Sequence, residues 1–405
     1  MRNFKPAVRR RVTGTGPVLL GIGVFLGGML AGGISAVRAD GLGLLGPDPA
    51  RWAFVANRDS NDVAVIDIET RKVVARFPVG KAPHMTVVSP DGGRVYTTGQ
   101  GDNTLTVTRI SDFQKVATLR LGESPEHLDV SPDGRFVYVG NFEDGTLSVV
   151  DAGSLEEVGR LAGFRKPHNI TFSRDGRRAF VANLGSDRVS VVDVRRQAVV
   201  TSLEAAGPVK LARLGSDREI AGVVNVTLTP DGRTGYAAHS DGGEVAVIDV
   251  AAGRVVRRIP VGPSPWRAYA TPDGRRMLVP NLGDGTISVI DTASREVTAV
   301  LPGLDGVTGI NPVLGGRRAF VISRSENKVR VLDLETNRVL KDIPVGRRPE
   351  TASTTPAGRY VFLAVGGSDE VWVLDAERLS VSAVIRGVGR HPWAVAIAGG
   401  INYCH

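Results

Sequence analysis

Three histidines lie about one structural repeat apart in the chain: His84, His127 and His168. Neutral imidazole is a common ligand of Cu, Zn and Fe, so two or three of them could hold a single transition metal. Alternatively, one could be an axial ligand to a haem iron while the others act on a bound substrate. The third hypothesis is that they are polar lining at a solvated rim. Choosing among these requires the elements that carry the histidines.

A repeat of 42 residues organises most of the sequence. An aspartate closes an apolar run in seven of the repeats, at Asp67, Asp151, Asp193, Asp249, Asp291, Asp333 and Asp375, and Arg109 takes this place in the repeat between Asp67 and Asp151. A turn recurs with the same spacing, at Asp91-Gly92, Asp133-Gly134, Asp175-Gly176, Asp231-Gly232 and Asp273-Gly274. Both series contain one 14-residue insertion, around 211–222. Repeats of this length point to a repeat architecture rather than to several unrelated domains.

Each repeat holds four short runs of apolar and β-branched residues separated by Gly, Asp, Asn and Pro, which predicts four strands. Asp-Gly between the first two runs predicts a hairpin, and four-stranded units without helices predict a β-propeller. First strands are predicted to start at His84, Glu126, His168, Val224, Trp266, Thr308, Glu350 and Trp393. Second strands are predicted to end at Asn57, Gly99, Asn141, Asn183, His239, Asn281, Ser323 and Val365.

Eight strands of each type predict an all-β, single eight-bladed β-propeller over residues 52–399, followed by a tail, 400–405. The chain enters on a second strand, Trp52 to Asn57, and its last strand, Trp393 to Ala398, is a first strand. Pairing these two closes the ring and removes both open edges. We therefore expect the C-terminal strand to complete the first blade.

Residues 1–39 are predicted to be an export segment, because arginines precede an uncharged apolar stretch, Val12 to Val37. It could be a cleaved signal peptide or a retained membrane anchor, and either places the propeller in the periplasm or elsewhere outside the cytoplasmic membrane. Six of the 50 basic residues precede the first acidic residue, Asp40. Without them the balance is 44 basic to 42 acidic residues, so net charge gives no support to nucleic-acid binding.

Segments such as Phe136-Val-Tyr-Val-Gly-Asn141 and the recurring Ser/Thr-Pro-Asp-Gly-Arg resemble the YVTN-type β-propeller repeat family. Eight blades in an exported protein also resemble the haem d1 domain of cytochrome cd1 nitrite reductase and its d1-biosynthesis relatives. That resemblance implies a haem d1-like tetrapyrrole as cofactor. The chain contains no Cys-x-x-Cys-His motif, so the c-type haem domain of a cd1 enzyme is absent from this sequence.

First strands start, and second strands end, at the same mouth of a propeller channel. Five of the six histidines map to this mouth: His84, His127, His168, His239 and His391. Other candidate ligand-binding residues at this level are Glu126, Asn169, Asn225, Trp266, Arg267, Glu350 and Trp393. The three histidines of consecutive blades should lie on one side of the mouth, which suits a ligand bound from the side.

Connections from fourth to first strands cross the same mouth and carry basic residues: Lys81, Arg165, Lys166, Arg347, Arg348 and Arg390. The insertion adds Lys210, Arg213 and Arg218. A basic rim would steer an anionic ligand, and Arg suits carboxylates. Second-to-third strand loops dilute this charge with acidic residues that could cap turns: Asp62, Asp102, Asp144, Asp187, Asp241, Asp284, Glu326 and Asp369.

These residues predict a propeller that binds a tetrapyrrole or a metal at its mouth, within an extracytoplasmic redox or cofactor pathway. His84, His127 or His168 would be the ligand, and Arg267 or the insertion arginines would pair with carboxylates. A second hypothesis is a non-catalytic scaffold that binds an extracytoplasmic protein partner. A third is a lactonase-like hydrolase that uses Glu126, Glu350 and a metal. Whether the chain is an enzyme stays open.

Overall fold

The computed structural model describes residues 48–206 and 222–403, which form eight antiparallel sheets. First strands are Pro392–Ile397, Pro83–Val88, Pro125–Val130, Pro167–Phe172, Val223–Leu228, Tyr269–Ala270, Val307–Val313 and Pro349–Thr354. Second strands are Trp52–Asn57, Arg94–Gly99, Phe136–Asn141, Arg178–Asn183, Thr234–His239, Arg276–Asn281, Arg318–Ser323 and Tyr360–Val365. Third strands are Asp62–Asp67, Thr104–Arg109, Thr146–Asp151, Arg188–Asp193, Glu244–Asp249, Thr286–Asp291, Lys328–Asp333 and Glu370–Asp375. Fourth strands are Lys72–Pro78, Lys115–Arg120, Glu156–Ala162, Ala198–Glu204, Arg254–Pro260, Glu296–Pro302, Arg338–Pro344 and Ser380–Ile385.

In that order the sheets are blades 1 to 8 of a β-propeller, because each first strand contacts the first strands of both neighbouring blades around a closed circle. The predicted closure is confirmed, since Pro392–Ile397 pairs with Trp52–Asn57 in blade 1. Three short 3-10 helices, Pro49–Arg51, Leu314–Gly316 and Gly366–Ser368, lie outside the sheets. Within 48–206 and 222–403, no helix is long and apolar enough to cross a membrane. The predicted export segment lies outside the described residues.

The Ser/Thr-Pro-Asp-Gly hairpins are stabilised by their own side chains. In blade 3 the Ser131 hydroxyl donates to Asp133 Oδ1 over 2.6 Å, and the same oxygen accepts the Arg135 N–H. Gly134 has φ of 72°, a left-handed conformation that favours glycine, and its N–H donates to the Ser131 carbonyl. The repeated motif therefore fixes the turn that sets the register of the first two strands.

Neighbouring blades pack through the large side chain at the middle of each second strand. Seven of these are aromatic and buried: Phe54, Tyr96, Tyr138, Phe180, Tyr236, Phe320 and Phe362. In blade 6 the position is Leu278, and its partner across the sheet, Tyr269, supplies the aromatic ring from the first strand. Eight similar units thus share one continuous apolar packing scheme.

The innermost edge of the first strands faces the channel, where in seven of the eight described sheets no further strand pairs with it. Side chains of adjacent blades satisfy this edge instead. Hydroxyl groups donate to backbone carbonyls of the next first strand, from Thr171 to Val226, Thr227 to Ala268, Thr308 to Glu350, Thr351 to Trp393 and Ser353 to Val395. This inter-blade collar links the blades through groups that would otherwise be buried without partners.

Two segments differ from the sequence prediction. The first strand of blade 6 is only Tyr269–Ala270, although it was predicted to start at Trp266. On the neighbouring second strand, Pro280 has no N–H to donate. The hydrogen bond from the Trp266 N–H to the Pro280 carbonyl oxygen is isolated from the regular ladder between the two strands. Within the predicted tail, Ile401–Tyr403 forms a short fifth strand on blade 8, next to Pro349–Thr354.

The closing strand can be tested through Ile397, which is fully buried between blades 1 and 8. We expect Ile397→Ala to lower the free energy of unfolding by about 2–5 kcal/mol, because it leaves a cavity in a packed core. Val300→Ala, at an exposed site on the outer strand of blade 6, is the matched control and should change stability by less than about 0.5 kcal/mol. Urea unfolding measures both, and equal stabilities would show that the closing strand is not packed in the sheet.

Candidate functional site

A β-bulge occurs where most first strands enter the channel mouth. In blade 3, Pro125 pairs with Asn141 and Leu128 with Val139, so three steps along the first strand oppose two along the second. The same shift occurs in the described sheets of all other blades except blade 6. Residues in or beside the bulges include His84, Glu126, His127, His168, Asn169, Glu350 and Trp393. Bulges redirect side chains and recur beside binding sites.

The structure brings the three predicted histidines together in a continuous aromatic row over blades 1 to 4. The ring centroids are 5.6 Å apart for His391 and Trp393, 5.6 Å for Trp393 and His84, 5.3 Å for His84 and His127, 4.2 Å for His127 and His168, and 6.4 Å for His168 and Phe142. We call these six residues the aromatic row. It lies on one side of the mouth and offers planar groups to a planar ligand.

Hydrogen bonding fixes the tautomer of His168. Its Nδ1 lies 2.9 Å from the Val224 carbonyl oxygen, which can only accept, so Nδ1 carries the proton. Burial, together with the nearby charge of Arg267, lowers the pKa of His168 to about 4. The imidazole is therefore neutral at physiological pH, and Nε2 keeps the lone pair that a metal or haem iron requires.

His239 has the opposite tautomer. Its Nδ1 accepts the Gly242 N–H over 2.9 Å, and burial lowers the pKa of the ring, which leaves the proton of the neutral form on Nε2. This buried Nε2–H has no hydrogen-bond partner among residues 48–206 and 222–403. His239 is thus arranged as a hydrogen-bond donor, whereas His168 is arranged as a ligand.

Arg267 is a buried cation with unused donors. The residue is 5% exposed, and its Nε and Nη1 atoms have no hydrogen-bond partner in the part of the chain that the structure describes. A buried charge without a partner is costly, and an anion would relieve that cost. Arg267 therefore fits the carboxylate-pairing role predicted for it.

The rest of the mouth has a charged arc and an apolar patch. The arc runs over blades 7, 8, 1 and 2, where the guanidinium carbons of Arg58 and Arg324 lie 4.7 and 5.6 Å from the ring centroid of Trp393. Arg324 also bonds Glu350. Over blades 3 to 6 the patch consists of Phe142, Leu184, Val224 and the half-buried Trp266. A ligand would thus meet charge on one side and apolar surface on the other.

Several acidic loop residues cap connections, as the sequence suggested. Asp144 accepts the Glu123 N–H, Glu326 accepts the Asp305 N–H, and Asp369 accepts the His391 N–H. Asp241 differs, because burial raises its pKa and its oxygens have no partner among the described residues. The predicted ligand residues Lys210, Arg213 and Arg218 lie outside the described residues.

A direct metal site is a separate matter. Across 48–206 and 222–403, no three His, Cys, Asp or Glu side chains are grouped so that they could hold a metal ion. The metal-ligand role of His84, His127 and His168 therefore stays a prediction from sequence.

The bulges, the tautomers and the contacts of Gln100 were not predicted from the sequence. Gln100 joins Arg58 to Glu126 through hydrogen bonds of 2.6 and 2.7 Å.

Comparison with known proteins supports the haem d1 resemblance. Residues 48–174 match the family described as the cytochrome D1 heme domain. That segment contains His84, His127 and His168. No protein in a search of curated proteins matches the sequence.

Solved structures share the fold. Dihydro-heme d1 dehydrogenase NirN in complex with DHE is 22% identical with a TM-score of 0.71, over 88% of this chain and 77% of that chain. Hydrazine synthase of Kuenenia stuttgartiensis is 24% identical with a TM-score of 0.56, over 73% and 95%. A functionally unknown protein from Desulfotomaculum acetoxidans is 13% identical with a TM-score of 0.56, over 88% and 99%.

The protonation of His168 gives a pH prediction. The unfolded imidazole titrates near its ordinary pKa of about 6.5 and the folded one near 4, so the unfolded state binds more protons between these values. Stability should therefore fall as pH falls through this window and level off below it, by a total of roughly 3 kcal/mol from this residue. Urea unfolding of wild type and His168→Gln at about pH 7 and about pH 4 measures the difference. Equal losses in both proteins would contradict the buried neutral state.

These comparisons and the site geometry agree on one point. At 13–24% identity the solved structures establish the fold alone, whereas the sequence match over 48–174 covers the three histidines themselves. The resemblance to the haem d1 domain, predicted from blade number and compartment, is therefore confirmed by the sequence match and by the eight-bladed fold.

Proposed function

We propose that the mouth binds an iron tetrapyrrole of the haem d1 type, in an extracytoplasmic redox or cofactor pathway. The observation that carries this proposal is the aromatic row, whose three histidines all lie within the segment that matches the cytochrome D1 heme domain. The NirN structure, whose fold is similar, is a complex with DHE. Periplasmic location is proposed from the sequence of residues 1–39 alone.

The residues present fit such a group. His168 would hold the iron through its unprotonated Nε2, and Arg267 would offer buried donors to a carboxylate of the tetrapyrrole. Trp393 and His84 lie in the same row, and His239 Nε2–H is a neutral donor in the second strand of blade 5. When bound, the iron tetrapyrrole would supply redox chemistry at its metal. The protein would orient it, exclude water and neutralise its carboxylates.

Ligation can be tested with iron protoporphyrin IX as a probe. We expect wild-type protein to bind it with the absorption spectrum of an imidazole-ligated haem. Among His84→Ala, His127→Ala and His168→Ala, one should lose that spectrum, with His168→Ala the first candidate because its tautomer is fixed for ligation. His239→Ala is the control: it removes a donor and should keep the iron ligation.

Two outcomes would count against the proposal. Binding without any spectral change in the three variants would show that the row does not ligate the iron. No binding at all would remove the tetrapyrrole function and favour the non-catalytic scaffold that the sequence also allows.

Arg267 gives a test that separates binding from stability. We expect Arg267→Met to raise the free energy of unfolding of the ligand-free protein by about 1 kcal/mol or more, because it removes a buried unpaired charge while filling its volume. The same change should weaken binding of iron protoporphyrin IX at least about tenfold, since a charge-assisted bond to a carboxylate contributes about 1.5–3 kcal/mol. Urea unfolding and probe titration measure the two effects. A variant that is less stable yet binds equally well would contradict this role.

A further inference from the structure

Beside the aromatic row, one imidazole lies between two carboxylates. His391 Nδ1 is 3.4 Å from Asp59 Oδ1, and His391 Nε2 is 3.4 Å from Glu350 Oε1. The Asp59 side chain is 60% exposed, that of His391 18%, and that of Glu350 fully buried. The three groups therefore form a line from solvent to the interior of the mouth.

The close approach of His391 to Glu350 depends on a glycine. A Cβ atom added at Gly366 would lie 2.5 Å from His391 Cδ2 and 3.1 Å from Glu350 Cγ, closer than real contacts allow. The equivalent residue after the second strand is Arg58 in blade 1 and Arg324 in blade 7. Blade 8 thus keeps open the space that the imidazole occupies.

The arginines around this line cannot carry a proton onward. Arg324 bonds Glu350 Oε2, and Arg348 lies 3.9 Å from Oε1. Asp369 accepts the backbone N–H of His391, and Arg390 donates to the backbone carbonyl of Asp59. Arginine does not release its proton in proteins. Among these described partners of the Glu350 carboxylate, the imidazole of His391 is the one that can both bind and release a proton.

We propose that Asp59, His391 and Glu350 form a proton relay between solvent and the interior of the mouth. The Glu350 carboxylate accepts a proton from an acidic group of the bound ligand, which keeps the electron pair. His391 takes that proton on Nε2 and releases the one on Nδ1 to Asp59, which passes it to water. No electron moves in these steps. The relay rests on the proposed function only for the group that supplies the proton.

The ligand-free protein tests the outer part of the relay. Trp393 touches His391. Because a protonated imidazole quenches the fluorescence of a neighbouring indole, the fluorescence of Trp393 reports the arrival of a proton at His391. The signal of Trp393 is the difference between wild type and Trp393→Phe. After a rapid drop from about pH 8 to about pH 5, we expect Asp59→Asn to slow the quenching several-fold. Glu143→Gln, an exposed acid at the equivalent position of blade 3, is the matched control and should not slow it.

The inner part is tested by counting protons with a pH indicator in the same jump. We expect Glu350→Gln to take up fewer protons than wild type, and Gly366→Ala, which displaces His391, to slow uptake without removing a carboxylate. Free imidazole should partly restore the rate in His391→Gly. Unchanged kinetics in Asp59→Asn together with unchanged proton counts in Glu350→Gln would overturn the relay. This result does not depend on a tetrapyrrole, whereas failure of iron protoporphyrin IX to bind would overturn only the proposed function.

Discussion

The inner edge of the first strands is the constraint on which the rest of this propeller depends. Eight strand edges converge on the channel, and among the described residues only the edge of blade 8 has a further strand, Ile401–Tyr403, to pair with. The inter-blade collar solves this with hydroxyl and amide side chains, such as Thr227 and Asn311, which bond the backbone of the next blade. Longer imidazole, indole and guanidinium groups lie at the mouth, where the bulges begin.

The mouth contains features that a purely structural ring does not need. The Nε and Nη1 atoms of the buried Arg267 have no hydrogen-bond partner among the described residues, and His168 and His239 have opposite tautomers fixed by single backbone contacts. An unpaired buried cation lowers the stability of the empty protein, and a ligand carboxylate would offset that loss. Polar groups that lower stability in this way are expected at functional sites, where residues are arranged for binding rather than for stability. Together with the match over residues 48–174, they favour ligand binding over a passive scaffold.

The sequence predicted the fold well because the repeat is strict. The closing aspartates and the Asp-Gly turns repeat with the same spacing and the same insertion, and the count of first and second strands predicted eight blades and the closing strand. It could not predict the bulges, which arise from pairing register, or the tautomer of His168, which depends on the Val224 carbonyl of another blade. The short first strand of blade 6 was also missed, although Pro280 was a visible signal. The position of His391 depends on Gly366 having no side chain. A single glycine gives no repeated pattern in the sequence, so this position could not be predicted.

The central claim is that this mouth holds an iron tetrapyrrole next to the aromatic row. The most direct measurement is the visible absorption spectrum and iron content of the protein isolated from its native cells. The account predicts a coloured protein with a tetrapyrrole spectrum and about one iron per chain, since one row of imidazoles serves one macrocycle. A colourless, iron-free protein from cells that make tetrapyrroles would contradict it.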